Sequence, residues 1–191
     1  MASRPAELPS FVAALARALD ERGLPFMLIG GQAVLVHGRP RLTEDIDVTL
    51  GADPSRLADV LAVCATLGLE ALPRDLERFV RDTFVLPARD PATGIRVDFI
   101  FSTTPYEPQA IERADHLTIG GADVPVATAE DLILHKLFAG RARDIEDAES
   151  VVRRKGGALD WDYLRRWARE FAGVRGRESL PPQVEQLRGD R

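Results

Sequence analysis

Two acidic residues one position apart open an alternating segment, Asp45-Ile-Asp-Val-Thr-Leu. Side chains on a strand alternate in direction, so Asp45 and Asp47 share one face while Ile46, Val48 and Leu50 go to the core. Carboxylates that close repel each other unless a cation sits between them, and oxygen-only ligands with open positions suit Mg²⁺ bridging to phosphates. Earlier in the chain, Gly30-Gly31 follows the apolar run Pro25-Phe-Met-Leu-Ile. A glycine pair where a strand passes into a helix lets the backbone approach phosphate oxygens, with amide groups and the helix N-terminus aimed at negative charge. A third carboxylate, Asp98, stands in Arg96-Val-Asp-Phe-Ile-Phe, among apolar neighbours where an unpaired carboxylate is costly. On a strand beside that of Asp45 it could share a metal and accept the proton of an attacking hydroxyl. A lone Gly-Gly is usually a tight turn, and a lone Asp-x-Asp is usually a charged strand edge. Their conjunction with an isolated aspartate in a third apolar strand predicts a metal site facing a phosphate cradle.

The elements that must position these groups follow from pattern and punctuation. Pro9 to Arg22 has helical spacing, with Ser10 as cap and Gly23 as stop. Pro25 to Ile29 reads as a buried strand, Gly31 to His37 as a second helix, and Gly38 to Glu44 as a polar loop before the strand Asp45 to Leu50. Asp53-Pro54 begins a helix ending near Gly68. Phe79 to Pro87 and Ile95 to Phe101 read as an antiparallel pair joined by the turn-rich Ala88 to Gly94. A short helix spans Pro108 to Ala114, then His116 to Ile119 and Asp123 to Val126 flank Gly120-Gly121 as a hairpin whose proline suggests a sheet edge. Thr128 to Ala139, Asp144 to Arg154 and Asp160 to Phe171 read as helices, each with a hydroxyl or acidic residue near its start. From Gly173 the chain is rich in Arg, Gly, Pro and Glu, which reads as a loose tail.

Composition narrows the class. A chain of 191 residues with 45% hydrophobic and 29% charged residues has enough for one sizeable core, or for a core domain with a helical appendage. No apolar run approaches the roughly 20 residues of a bilayer span, and no signal-peptide core stands at the N-terminus, so the expectation is a cytoplasmic protein without a membrane partner. The net charge of −5 argues against coating nucleic acid through overall basicity. Arg153, Arg154, Lys155, Arg165, Arg166 and Arg169 could make a local basic face for tRNA, although a charged helical surface is their ordinary reading. Lysine appears only at Lys136 and Lys155 in a chain whose other basic residues are arginines, which singles out Lys136 as a place where a compact ammonium is wanted. Cys64 reads as a small buried hydrophobe. His37 reads as a helix C-terminal histidine, and His116 and His135 have no second ligand at metal spacing, so zinc is not expected.

Gly30-Gly31, a spacer, Asp45-Ile46-Asp47 and a later Asp98 together resemble the signature of the nucleotidyltransferase superfamily that shares the DNA polymerase β palm. More narrowly, GGQAVLVHGRPRLTEDIDV with VATAEDLILHKLFAGRARDIEDAESVV resembles the AbiEii-like nucleotidyltransferases, many of them toxins of toxin–antitoxin pairs. The second segment has their pattern of a Lys, an Arg, then a basic residue followed by Asp and another Asp three further on, here Lys136, Arg141, Arg143, Asp144 and Asp147. The matches cover most of residues 25 to 152. The spacer between Gly31 and Asp45 is at the long end of the family range, and Gly31 replaces a Ser often found second in the pair.

The resemblance implies an α+β fold, a polymerase β-like palm of mixed sheet flanked by helices over residues 1–126, with a C-terminal helical part over 127–172 and the tail at 173–191. It implies that Asp45, Asp47 and Asp98 hold magnesium, two ions, with Asp98 as base, and that Gly30 and Gly31 bind the triphosphate. Lys136 would neutralise a phosphate of the nucleotide, and Arg141 and Asp144 would position that lysine or the acceptor. The implied reaction moves a nucleoside monophosphate from a nucleoside triphosphate to a hydroxyl of tRNA or a protein, with a cognate antitoxin as a further partner. Two alternatives stand beside it. Nucleotidyltransferases that inactivate aminoglycoside or lincosamide antibiotics share the glycine and carboxylate motif, but the Lys136 to Asp147 segment favours the toxin-like reading. An inactive nucleotide-binding or partner-binding module is the other, and the presence of all three carboxylates argues against it.

Overall fold

Four apolar residues between Pro25 and Gly30 have no helical spacing to exploit, and Phe26–Ile29 is strand β1 with all four side chains buried. The computed structural model that shows this describes residues 7–41, 43 and 45–189. Met1 to Ala6, Leu42, Glu44, Asp190 and Arg191, parts of the expected N-terminal segment, polar loop and tail, lie outside the described residues. In chain order the elements are α1 (Glu7–Glu21), β1, α2 (Gly30–His37), β2 (Asp45–Leu50), α3 (Leu57–Leu67), β3 (Glu70–Ala71), α4 (Leu76–Thr83), β4 (Val85–Arg89) and β5 (Arg96–Ile100). They continue as α5 (Tyr106–Glu112), β6 (Asp115–Ile119), β7 (Ala122–Val126), α6 (Ala129–Ala139), α7 (Ala142–Lys155), α8 (Trp161–Phe171) and α9 (Leu180–Gly189). None of the described helices is long and apolar enough to cross a membrane. The chain forms two compact units: Met1–Ile29 with Thr43–Val126, and Gly30–Leu42 with Ala127–Arg191.

The first unit is built on a mixed sheet of order β3-β4-β5-β2-β1-β7-β6. β2 and β5 run parallel, as do β1 and β7, and the other neighbours are antiparallel. A parallel neighbour needs a crossover, and α3, β3, α4 and β4 lie between β2 and β5 in the chain. The alternation of β2 is met: Ile46, Val48 and Leu50 are fully buried, and so are Val97 and Phe99 on β5. α1 adds Val12, Leu15 and Leu19 to the core and α3 adds Val60, Val63 and Cys64. Burial pushes the Cys64 thiol up to about 11, so it stays a protonated, inert hydrophobe. The hairpin at Gly120-Gly121 forms, with β6 at the sheet edge.

One strand starts later than its residue types suggest. Phe79 and Val80 have strand-forming side chains, yet they lie in α4, because Asp75 caps the helix by accepting the Arg78 amide at 3.1 Å and Leu76, Phe79 and Val80 fall at i, i+3 and i+4. Phe84, left-handed at φ 58°, stops the helix, and β4 begins at Val85.

The second unit is helical and has α6 at its centre, packed against α2, α7, α8 and α9. Thr128 caps α6 and Gly140, left-handed at φ 71°, ends it. Residues 30–42 belong here rather than with the sheet that flanks them in sequence. Four long-range polar contacts explain the placement. The Nε2–H of His37 donates to the Ala127 carbonyl at 2.8 Å, the Arg39 amide donates to Ser150 Oγ at 3.1 Å, and Arg154 Nη1 donates to the Gly38 carbonyl at 2.9 Å. Arg41 reaches Asp147, as described below. The segment from 173, read from composition as loose, contains α9, whose Leu180, Val184 and Leu187 are buried at i, i+4 and i+7. Pro181 and Pro182 fall in the first turn, where a missing amide proton breaks no helical bond.

Candidate active site

Strand register does most of the work in assembling the acidic groups. Asp47 on β2 lies directly beside Asp98 on β5, and Asp45 lies one step earlier on β2, beside Arg96. Parallel partners put their side chains on the same face, about 4.8 Å apart at the backbone. Asp45, Asp47 and Asp98 therefore share the face opposite Ile46, Val48, Val97 and Phe99. Asp45 is exposed at the rim, whereas Asp47 and Asp98 are half-buried. Burial raises the Asp98 carboxyl above its ordinary value; Arg96 opposes the shift and Asp45 adds to it. The Oδ1 of Asp98 is buried without a hydrogen-bond partner.

Among the described residues, no three carboxylate, histidine or cysteine side chains already stand close enough to hold an ion. The donors nonetheless suit magnesium: they are all carboxylate oxygens, they repel one another across a single strand spacing, and one carries a lone pair that nothing in the protein satisfies.

In the second unit, α2 starts at Gly30 with no residue between it and Ile29 of β1. Gly30 is left-handed at φ 60°, a conformation that costs most other residues energy, and Gly31 is buried. The lysine singled out by composition proves unusual in its surroundings as well. Lys136 is 7% exposed and its Nζ lies 2.9 Å from both Asp144 and Asp147. Arg41 grips Asp147 with two hydrogen bonds, 3.1 and 3.0 Å, and Arg141 Nε donates to Asp144 at 2.8 Å. Burial alone would raise both carboxyls. For Asp144 the hydrogen bond and charge of Lys136, with help from Arg141, outweigh it; for Asp147 Arg41 and Lys136 do. Both are held below the ordinary carboxylate range. Three cations face two carboxylates, so the cluster keeps a surplus positive charge.

Of the pattern Lys136, Arg141, Arg143, Asp144 and Asp147, the structure brings all but Arg143 into contact, while Arg143 is exposed and joins no ion pair among the described residues. Sequence reasoning missed Arg41, which lies 106 residues from its partner Asp147 and has no local signal. Of the basic residues considered for a tRNA face, Arg165 is tied to Asp162 and Glu185, and Arg166 stacks over the Tyr163 and Trp167 rings. His116 binds Asp123 at 2.7 Å on the exposed hairpin.

Known proteins resemble the chain in fold and in sequence family. No curated protein sequence matches the chain. The solved structures similar to it include the antibiotic-resistance factor ANT(2'')-Ia, at 17% identity and TM-score 0.60 over 98% of this chain and 92% of that one. An antigenic nucleotidyltransferase-like protein from Paracoccidioides brasiliensis matches at 19% identity and TM-score 0.60, over 99% and 91% of the two chains. The lincosamide antibiotic adenylyltransferase LnuA matches at 14% identity and TM-score 0.54, over 79% and 98%. At these identities the likeness is one of fold, that of polymerase β-like nucleotidyltransferases. The sequence model of the family described as nucleotidyl transferase AbiEii toxin, Type IV TA system, matches residues 13–189. With nearly the whole chain inside that match, this protein is a nucleotidyltransferase and belongs to the AbiEii toxin family.

Proposed function

We propose that the protein is a magnesium-dependent enzyme that transfers a nucleoside monophosphate from a nucleoside triphosphate to a hydroxyl of tRNA or of a protein, as the toxin of a toxin–antitoxin pair. The observation that carries the reading is the in-register pair Asp47 and Asp98, with Asp45 on the same face and the Oδ1 of Asp98 buried and unsatisfied. Asp45, Asp47 and Asp98 would hold magnesium, as two ions, which when bound would supply the countercharge for the triphosphate and the leaving pyrophosphate. Asp98 takes the proton of the acceptor hydroxyl. The acceptor oxygen forms the new ester bond to the α-phosphorus, the bond from that phosphorus to the bridging oxygen breaks, and pyrophosphate leaves. The left-handed turn at Gly30, with Gly31, offers backbone amides to triphosphate oxygens. Lys136 contributes positive charge toward a phosphate, with its ammonium fixed by Asp144 and Asp147, and Arg141 orients Asp144. The likeness to antibiotic adenylyltransferases is one of fold and carries no substrate.

The test is incubation with Mg²⁺ and each labelled ribonucleoside triphosphate beside total tRNA and candidate proteins. Asp45→Ala and Asp47→Ala should each abolish labelling, with the melting temperature retained. Labelling that persists in both variants would mean that these carboxylates are not the reaction centre.

A further inference from the structure

α4 is a short helix that its own unit hardly holds. It has 8 residues, fewer than the roughly 12–15 below which an isolated helix is marginal, so packing has to sustain it, yet of those residues it buries Val80 alone. Its two flanks are tied to the sheet: the Leu72 amide donates to the Pro87 carbonyl at 2.9 Å, and the Phe101 amide donates to the Phe84 carbonyl at 2.9 Å. Between those ties apolar surface is turned outward. Leu72, Phe79 and Phe84 are 42%, 38% and 43% exposed, three of the five large apolar side chains that stand exposed among the described residues. Single exposed apolar residues are ordinary, but three in one short segment mark a contact surface. Phe84 adds a second sign. It is held left-handed at φ 58°, where a bulky residue is strained, while its side chain gains little burial in return.

A hollow of about 810 Å³ lies between α4 and α3, and Leu57, Leu61, Leu76 and Val80 give it an apolar wall. The charges around this surface point to its occupant. Over residues 74–82 they are Arg74, Arg78 and Arg81 against Asp75, Glu77 and Asp82, so the face has no net charge and attracts neither a nucleic acid nor a strongly acidic or basic protein. It complements itself instead. Arg78 and Asp82 stand one helical turn apart, 3.7 Å from each other and 75% and 61% exposed. Two α4 helices packed antiparallel about a two-fold axis at the level of Val80 set each Arg78 opposite the partner's Asp82. The same symmetry offsets the two Phe79 side chains by only about 3 Å along the helix axis, close enough for the rings to meet. It also lays Phe84 at the level of the partner's Leu76, in the wall of that copy's hollow. A two-fold interface requires a surface that is its own complement, and this helix supplies both aromatic and hollow, both cation and anion.

We propose that the protein dimerises through α4, with Phe79, Phe84 and the Arg78–Asp82 pair meeting a second copy across a two-fold axis. The claim is independent of the reaction proposed above. Sedimentation velocity of the full chain over a wide range of concentration tests it on wild type, Phe79→Ser, Arg78→Asp, and Arg78→Asp combined with Asp82→Arg. Circular dichroism melts check that each variant folds, and the charge variants, both at exposed positions, carry the test if Phe79→Ser melts lower. Wild type should pass from monomer to dimer as concentration rises, and Phe79→Ser and Arg78→Asp should each weaken association at least about ten-fold. The double variant, which restores opposite charges across the axis, should recover most of the loss. Wild type that stays monomeric at every concentration overturns the inference and leaves the face to a different protein. A dimer equally tight in all four proteins overturns it by placing the interface elsewhere, and assembly that grows beyond the dimer overturns the two-fold arrangement. A double variant no tighter than Arg78→Asp overturns the antiparallel pairing on which the proposal stands.

Discussion

Asp98 is where function and stability pull in opposite directions. Its carboxyl is raised first by burial, and Asp45 adds to the shift against the pull of Arg96. A carboxyl whose folded value lies above its unfolded one costs nothing while it is protonated in both states, and its destabilisation builds up as pH rises from the unfolded value to the folded one and is constant above that. Asp98→Asn removes that charge and keeps the shape. We therefore expect Asp98→Asn to raise the melting temperature by about 1–3 °C at pH 7.5, with the gain shrinking as pH is lowered, and at the same time to abolish transfer. Thermal denaturation followed by circular dichroism at pH 7.5 and pH 5 measures the first, and the labelling assay the second. A variant less stable than wild type at both pH values would show that the Asp98 carboxylate is well satisfied where it sits.

At the scale of elements, the contact of α6 with α7 is organised by charge as much as by packing. Lys136 comes from the buried interior of α6, and Asp144 and Asp147, one turn apart on α7, meet its ammonium together. Removing one member of a buried ionic group leaves the rest uncompensated and costs about 3–5 kcal/mol. Lys136→Met should lose on that order in urea denaturation at neutral pH. The pH dependence follows from the depressed Asp144 and Asp147: their stabilisation is present above the ordinary value of 3.8 and is lost as pH falls through their lower folded values. The difference between Lys136→Met and wild type should therefore narrow below about pH 4. A constant difference across that range would place the loss in packing rather than charge. The α4 segment teaches a related lesson about elements. The bulky residues of Phe79-Val80 favour a strand in isolation, yet the cap at Asp75 and the left-handed stop at Phe84 decide for a helix.

On the scale of the whole molecule, the chain crosses between its two units more than once. Residues 30–42 are inserted between two neighbouring strands, yet they pack with α6 and α7. A chain ended at residue 126 would keep every strand of the sheet while leaving Ala33, Val34 and His37 of α2 without the helices that bury them. We expect such a truncation to aggregate, read by light scattering and analytical ultracentrifugation, where the full chain does not. A monodisperse, cooperatively melting fragment would show that α2 needs no helical partner. The same principle applies to α9, whose Leu180, Val184 and Leu187 are buried although the surrounding composition is that of a solvated tail.

The sequence by itself determined the chemistry-bearing residue types and their local geometry. Asp45 and Asp47 fall on one face because strands have a period of two, and Gly30 takes a left-handed turn because glycine tolerates it, whereas the pattern of Lys136 with Asp144 and Asp147 was legible only through the resemblance to a family. Only the tertiary structure decided which distant residues meet. Pairing of β2 with β5 put Asp98 beside Asp47, the β4–β5 register set Arg89 next to Arg96, and the fold of the second unit brought Arg41 to Asp147 across 106 residues. The reason is physical: dihedral preference and periodicity are written into neighbours along the chain, whereas register and docking are fixed by burial and pairing between segments whose separation in sequence carries no information about their separation in space.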